Sequence, residues 1–408
     1  MAPVSASAAR PESGPAAAAS TADTRAAHIA ELQQRARALK LADSPEWHAL
    51  LHRQPRFGLF GGRSLADSDN FFLSSRGRTD TAAELDATLA AFADDTPETD
   101  TTQPPQCRFV ARRAWLDGRL QIDRARLPWL RCPRFDAWLA AIDPGTVTLV
   151  FASAYLNSPS SAYGHTLLRI DPAGAAREAP LLAYSVNYAA DTDGSFPLLY
   201  ALRGLAGGYQ GRFTLAPYYA KVAEYNDAES RDLWEYTLTL DPAEVRRLLE
   251  HVWELSPIGF DYYFLDENCA SYLLALIEVA RPSTRLGSAF TWWAIPADTV
   301  RAVAETPGLV ARVAYRPSRA TALRHRLSQA DPAHAALAND VAASRTAVDA
   351  PQVAALPEPQ RAEVLDLAFD TLDWQRLRGQ IGGDDARPRL RALLLARAQL
   401  DGPAPTEP

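Results

Sequence analysis

The chain has 408 residues, 47% of them hydrophobic and 22% charged, so apolar material is sufficient for a large buried core. A formal charge of −7 and a pI near 5.6 give no general attraction for nucleic acid, which is not expected as a partner. No run of 18 or more apolar residues is present, so no transmembrane helix is expected in this chain.

Residues 1–24 are rich in alanine, serine and proline, lack the apolar stretch of a signal peptide, and read as a disordered leader. A helical region over 25–95 follows, with Ile29, Leu32, Ala36 and Leu39 at helical spacing, then Trp47, Leu50 and Leu51 on a second short helix. Asp80 caps a further helix that carries Leu85, Leu89 and Phe92 on one face. The acidic, proline-containing run from Asp94 to Gln106 marks a boundary. Short helical pieces come next, around Ala114–Leu116 and Phe135–Leu139.

The period then changes from helix to strand. Val147–Leu156, 165–171, 181–189, 211–219 and the alternating LWEYTLTL at 233–240 are predicted strands. Asp241 and Pro242 open the next helix as cap and first residue, and the DENCASYLL helix follows. Strands followed by helices predict an α+β fold in which an antiparallel sheet packs against helices. IPADTVRAVAE reads as one more helix and GLVARVAYRP as a short apolar turn. An alanine-rich C-terminal helical region covers 318–397, and 398–408 is a flexible tail or truncated linker.

Three cysteines permit three single pairings, each with one cysteine left over. A Cys107–Cys132 bridge would close a loop and remove roughly 3–4 kcal/mol of unfolded-state entropy; two reduced core cysteines fit the same spacing. Cys269 shares a helical stripe with Leu273, Leu276 and Ile277, as an ordinary buried cysteine would. In the first turn of a helix, however, its thiol would also feel the positive end of the dipole and become a better nucleophile. His165, after Gly164 at a strand start, is the candidate base, and Asn187 on the neighbouring strand can hold the ring in one tautomer. Asn268 and the Cys269 N–H are candidate oxyanion donors. Tyr163, Tyr188, Tyr209 and Trp292 are candidate cleft residues. Neither histidines nor cysteines have metal-ligand spacing, and no cofactor is expected.

The segments AYLNSPSSAYGHTLLRID, YSVNYAADTDG, LRGLAGGYQGRFTLAPYYAKVAEYNDAESRDLWEY and DENCASYLL, with CRFVARRAWL and CPRFDAWL, resemble the DUF4105 proteins, or Lnb N-terminal periplasmic domain family, of Gram-negative bacteria. The resemblance spans about 107–317. It implies a permuted papain-like or NlpC/P60-like core with histidine before cysteine, His165 matching the GHT motif and Cys269 the ENC motif. It also implies the periplasm, where a Cys107–Cys132 disulfide would persist. The activity it suggests is a thiol acyltransferase or lipid hydrolase forming a thioester on Cys269, with phospholipid and a lipoprotein N-terminus as partners. Membrane association would then come through a missing segment or a partner. A cell-wall peptidase or amidase acting on peptidoglycan peptide, and a catalytically silent binding or assembly module, are the alternatives.

Overall fold

A computed structural model of the protein describes residues 15–53, 62–154, 163–174, 180–191, 209–262, 269–289 and 295–400. Among the described residues seven strands form one antiparallel sheet: β1 (Pro144–Ala152), β2 (His165–Pro172), β3 (Tyr184–Asp191), β4 (Tyr209–Pro217), β5 (Leu233–Leu238), β6 (Gly259–Tyr262) and β7 (Val310–Arg316). Their order across the sheet is β6-β4-β3-β2-β1-β5-β7. Two of these strands were not foreseen. The residues of β6 were not assigned to a strand, and 310–316, read as a turn, form the edge strand beside β5.

Register sorts the side chains. Val147 faces Ile170 and Leu149 faces Leu168 across the β1–β2 ladder, on the face buried under the helices. Val150 faces Leu167 and Ala152 faces His165 on the opposite face, where Tyr218 and Tyr225 complete a smaller cluster. On the first face lies the helix Pro242–Leu255, started by a capping box between Asp241 and Glu244 with Pro242 in its first turn. Its residues Val245, Leu248, Leu249, Val252 and Leu255 are buried. Beside it the helix Cys269–Ala280 packs on the sheet, Tyr272 lying against Tyr188 at 4.4 Å between ring centroids.

The N-terminal helices join the same core. The first described helix starts at Pro15, inside the span read as a disordered leader, where the alanine run favours helix. Asp80 accepts a hydrogen bond from the Ala83 N–H as the expected cap. Arg112, fully buried, joins this region to the central one: it donates to Glu84 at 2.7 Å and to the Phe71 carbonyl at 2.9 Å, and its backbone N–H donates to Glu254 at 2.9 Å. Beyond Glu254 the chain of contacts continues to His251 at 3.2 Å and from His251 to His52 at 2.9 Å. With Glu254 ionised, His251 Nδ1–H donates to it, which makes His251 Nε2 the acceptor of the His52 Nε2–H. The C-terminal helices have their own apolar cluster, from Ala338 to Leu393.

Candidate functional site

His165 and Asn187 come together on the face away from the core helices. His165 opens β2 opposite Ala152, and Asn187 lies on β3, which pairs with β2. His165 Nε2 is 2.7 Å from Asn187 Oδ1, and both residues are buried. The amide oxygen accepts the Nε2 proton, which leaves the lone pair of the neutral ring on Nδ1.

Gly164 makes this placement sterically feasible. Its φ is +95°, and a Cβ there would come within 2.4 Å of the Phe151 ring and 3.0 Å of the Ala152 carbonyl. The preceding glycine therefore lets the chain turn against β1 and deliver the imidazole to the strand end.

Two residues missed by the sequence reading build the wall of the site. The Tyr225 ring lies 5.5 Å from the His165 ring. Arg231 sits 5.0 Å from the Tyr225 ring centroid and donates to the carbonyls of Ser153 at 2.6 Å and Ala152 at 3.0 Å, tying down the end of β1. Both lie in the polar, irregular KVAEYNDAESRDLWEY run, whose only advance signal was its place in the resemblance. Further along the same face Arg169 donates to Asp171 at 2.7 Å and Glu235 at 2.6 Å. Burial opposes the Arg169 charge, but the two carboxylates outweigh it and raise its pKa. Glu235 correspondingly stays below the usual carboxylate range despite burial, held there chiefly by Arg169. Tyr218 Oη donates to Glu235 at 3.0 Å, and burial together with that carboxylate pushes its phenol up.

The other expected site residues fall differently. Tyr163 is exposed beside Gly164. Tyr188, expected on a cleft wall, is fully buried among Phe213, Phe260 and Tyr272. Its ring fits because Gly211 has no Cβ, which would stand 2.1 Å from the Tyr188 hydroxyl. Tyr209 starts β4 opposite Tyr262, its side chain lying outside the described residues. Asn268 and Trp292 also lie outside them, as does the Cys269 side chain, although Cys269 begins the helix that ends at Ala280.

Cys107 and Cys132 form a disulfide, buried against Val110 and Phe135. This corrects the expected chemistry. The thiols among the described side chains are both consumed in that bond, and no described free thiol faces the imidazole. The thioester mechanism, the acyltransferase and hydrolase readings built on it, and the thiol-dependent peptidase or amidase are withdrawn. Among the described residues no group of three His, Cys, Asp or Glu could hold a metal, and no helix is long and apolar enough to cross a membrane.

Fold and site together define an α+β domain whose antiparallel sheet carries helices on one face and an asparagine-oriented histidine on the other. Residues 134–306 match the family described as the Lnb N-terminal periplasmic domain, in agreement with a periplasmic location. Residues 39–119 and 313–408 match two families described as domains of unknown function, DUF7843 and DUF7842. No curated protein and no solved structure matches the chain.

Proposed function

We propose that the chain is a periplasmic binding module that takes a peptide at the His165 end of the sheet. The 2.7 Å contact between His165 Nε2 and Asn187 Oδ1 carries this reading. It holds the imidazole in one orientation at the strand end, beside the exposed Tyr163, a preset polar and aromatic surface that suits the amides and terminal amine of a peptide, and burial strengthens the hydrogen bonds made there. Cell-wall peptides and the N-terminus of a lipoprotein both present such groups. The finer fold reading, a permuted papain-like core, belongs to the same proposal. It is supported by the chain order, in which the strands bearing His165 and Asn187 precede the helix that starts at Cys269.

Calorimetric titration with a peptidoglycan tetrapeptide, an N-terminal lipopeptide and phospholipid vesicles tests this reading. Peptide affinity is expected to fall about tenfold in His165→Ala, the worth of one buried hydrogen bond, and less in Asn187→Asp, which keeps an acceptor. Binding indifferent to both substitutions would overturn the proposal, as would capture of vesicles but neither peptide. Cleavage of the peptide or a covalent adduct in the intact mass would replace binding by catalysis.

A further inference from the structure

The two edges of the sheet are treated differently. At one edge β6 is short and covered: Ala66 bridges to Phe260, and Ser68 Oγ both donates to the Gly259 carbonyl at 3.1 Å and accepts from the Gly259 N–H at 2.9 Å. At the other edge β7 runs for seven residues with no strand beyond it among the described residues. No described residue hydrogen-bonds the backbone of 310–316 outside the β5 ladder. Alternate N–H and C=O groups of that strand therefore face outward unpaired, the feature that folded proteins usually hide.

The side chains around this edge divide by face. Register places Tyr315 against Trp234 and Val313 against Tyr236. Tyr315, Val313 and Trp234 are 45%, 48% and 39% exposed, and the Trp234 and Tyr315 rings lie tilted against each other with centroids 4.7 Å apart. On the opposite face stand Arg312, exposed and in no ion pair among the described residues, and Arg316, which reaches Glu235 at 3.4 Å. The strand VARVAYR contains no acid. Pairing with a second copy through β7 would gather Arg312 and Arg316 of both chains on one face, and like charges on neighbouring strands are destabilising.

We propose that β7 is a docking edge for an extended partner peptide of alternating apolar and acidic residues, added as an eighth strand. Its main chain would satisfy the outward N–H and C=O groups, its apolar residues would extend the Trp234, Tyr236, Val313, Tyr315 surface, and its carboxylates would meet Arg312 and Arg316. Strands β1 and β5 lie between this edge and the strand that carries His165, and the proposal does not depend on what binds there.

Fluorescence polarisation with a labelled peptide alternating valine and glutamate, at low ionic strength, tests the proposal in the full chain. Saturable binding is expected, with amide hydrogen exchange slowed over 310–316. Arg312→Glu, at an exposed position that leaves the core intact, should weaken this peptide about tenfold and favour a valine–lysine peptide instead, as cross-strand charge pairing requires. Val313→Ser should weaken both peptides. Absence of binding, binding without protection at 310–316, or indifference to Arg312→Glu would overturn the proposal. So would dimerisation by sedimentation that depends on β7, or capture of phosphatidylethanolamine–phosphatidylglycerol vesicles in place of the peptide.

Discussion

Replacing Arg112 with methionine should destabilise the protein more than any exposed substitution, because the residue neutralises carboxylates that contact no other lysine or arginine among the described residues. Arg112 and Glu84 are both fully buried at 2.7 Å, and Glu254 lies 3.9 Å from the guanidinium Nε. The same guanidinium sits 4.4 Å from the centroids of Phe71 and Phe109. Removing one partner of a buried ion pair costs about 3–5 kcal/mol, since the remaining charge stays desolvated. Lost contact with the aromatic faces adds about 1 kcal/mol. A total of about 4–6 kcal/mol corresponds to a fall in Tm of about 10 °C for a domain of this size. The loss should also depend on pH. Burial pushes the Glu254 carboxyl up from 4.5 to about 7 against the pull of Arg112. A carboxyl whose folded pKa is raised contributes stability that is complete below its unfolded value and is lost as pH rises through the folded one. Without Arg112 that pKa rises further, so the variant's deficit should stay level up to about pH 7, where Glu254 is protonated in both folded proteins, and grow above it, where only the parent's carboxyl ionises. Urea denaturation at several pH values measures both effects. A loss below about 1 kcal/mol, or a deficit that is constant with pH, would refute a charge-compensating role for Arg112.

Two further outcomes follow from the geometry. His251 is held neutral, its pKa pushed down to about 3 by burial and then by Arg112, so its contribution to stability is lost as pH falls from 6.5 toward 3. Relative to the parent, His251→Asn should therefore become steadily less deficient over that window, by up to about 1.4 kcal/mol per pH unit, and parallel denaturation curves would contradict the assignment. Gly164→Ala forces a side chain onto a φ of +95° and into the Phe151 ring. A loss of about 1–3 kcal/mol is expected, together with a shifted His165 imidazole resonance in NMR spectra; an unchanged spectrum would contradict the role given to Gly164.

Much of the local structure was legible in the chain. Asp80 and the Asp241–Pro242 pair announced helix starts because capping is a matter between near neighbours. The strands over 144–152, 165–172, 184–191, 209–217 and 233–238 announced themselves by apolar runs and alternation. Within the site, a glycine followed by histidine at a strand start and an asparagine on the next strand suggested the residues that lie 2.7 Å apart. Features resting on distant partners were not legible. VARVAYR reads as a turn until the β5 ladder pairs with it. Tyr188 looked like a cleft residue, yet the pleat aims it at Tyr272, because a strand's period assigns alternate faces without telling which face is covered. Arg112, Glu84, Glu254, His251 and His52 are ordinary helix and loop residues in sequence, joined only when four segments close over them. The chain by itself determined which stretches are helices or strands and where several begin, since those choices rest on contacts a few residues apart. Tertiary structure decided which side chains lose water, and therefore which charges need partners and which sheet edge stays open.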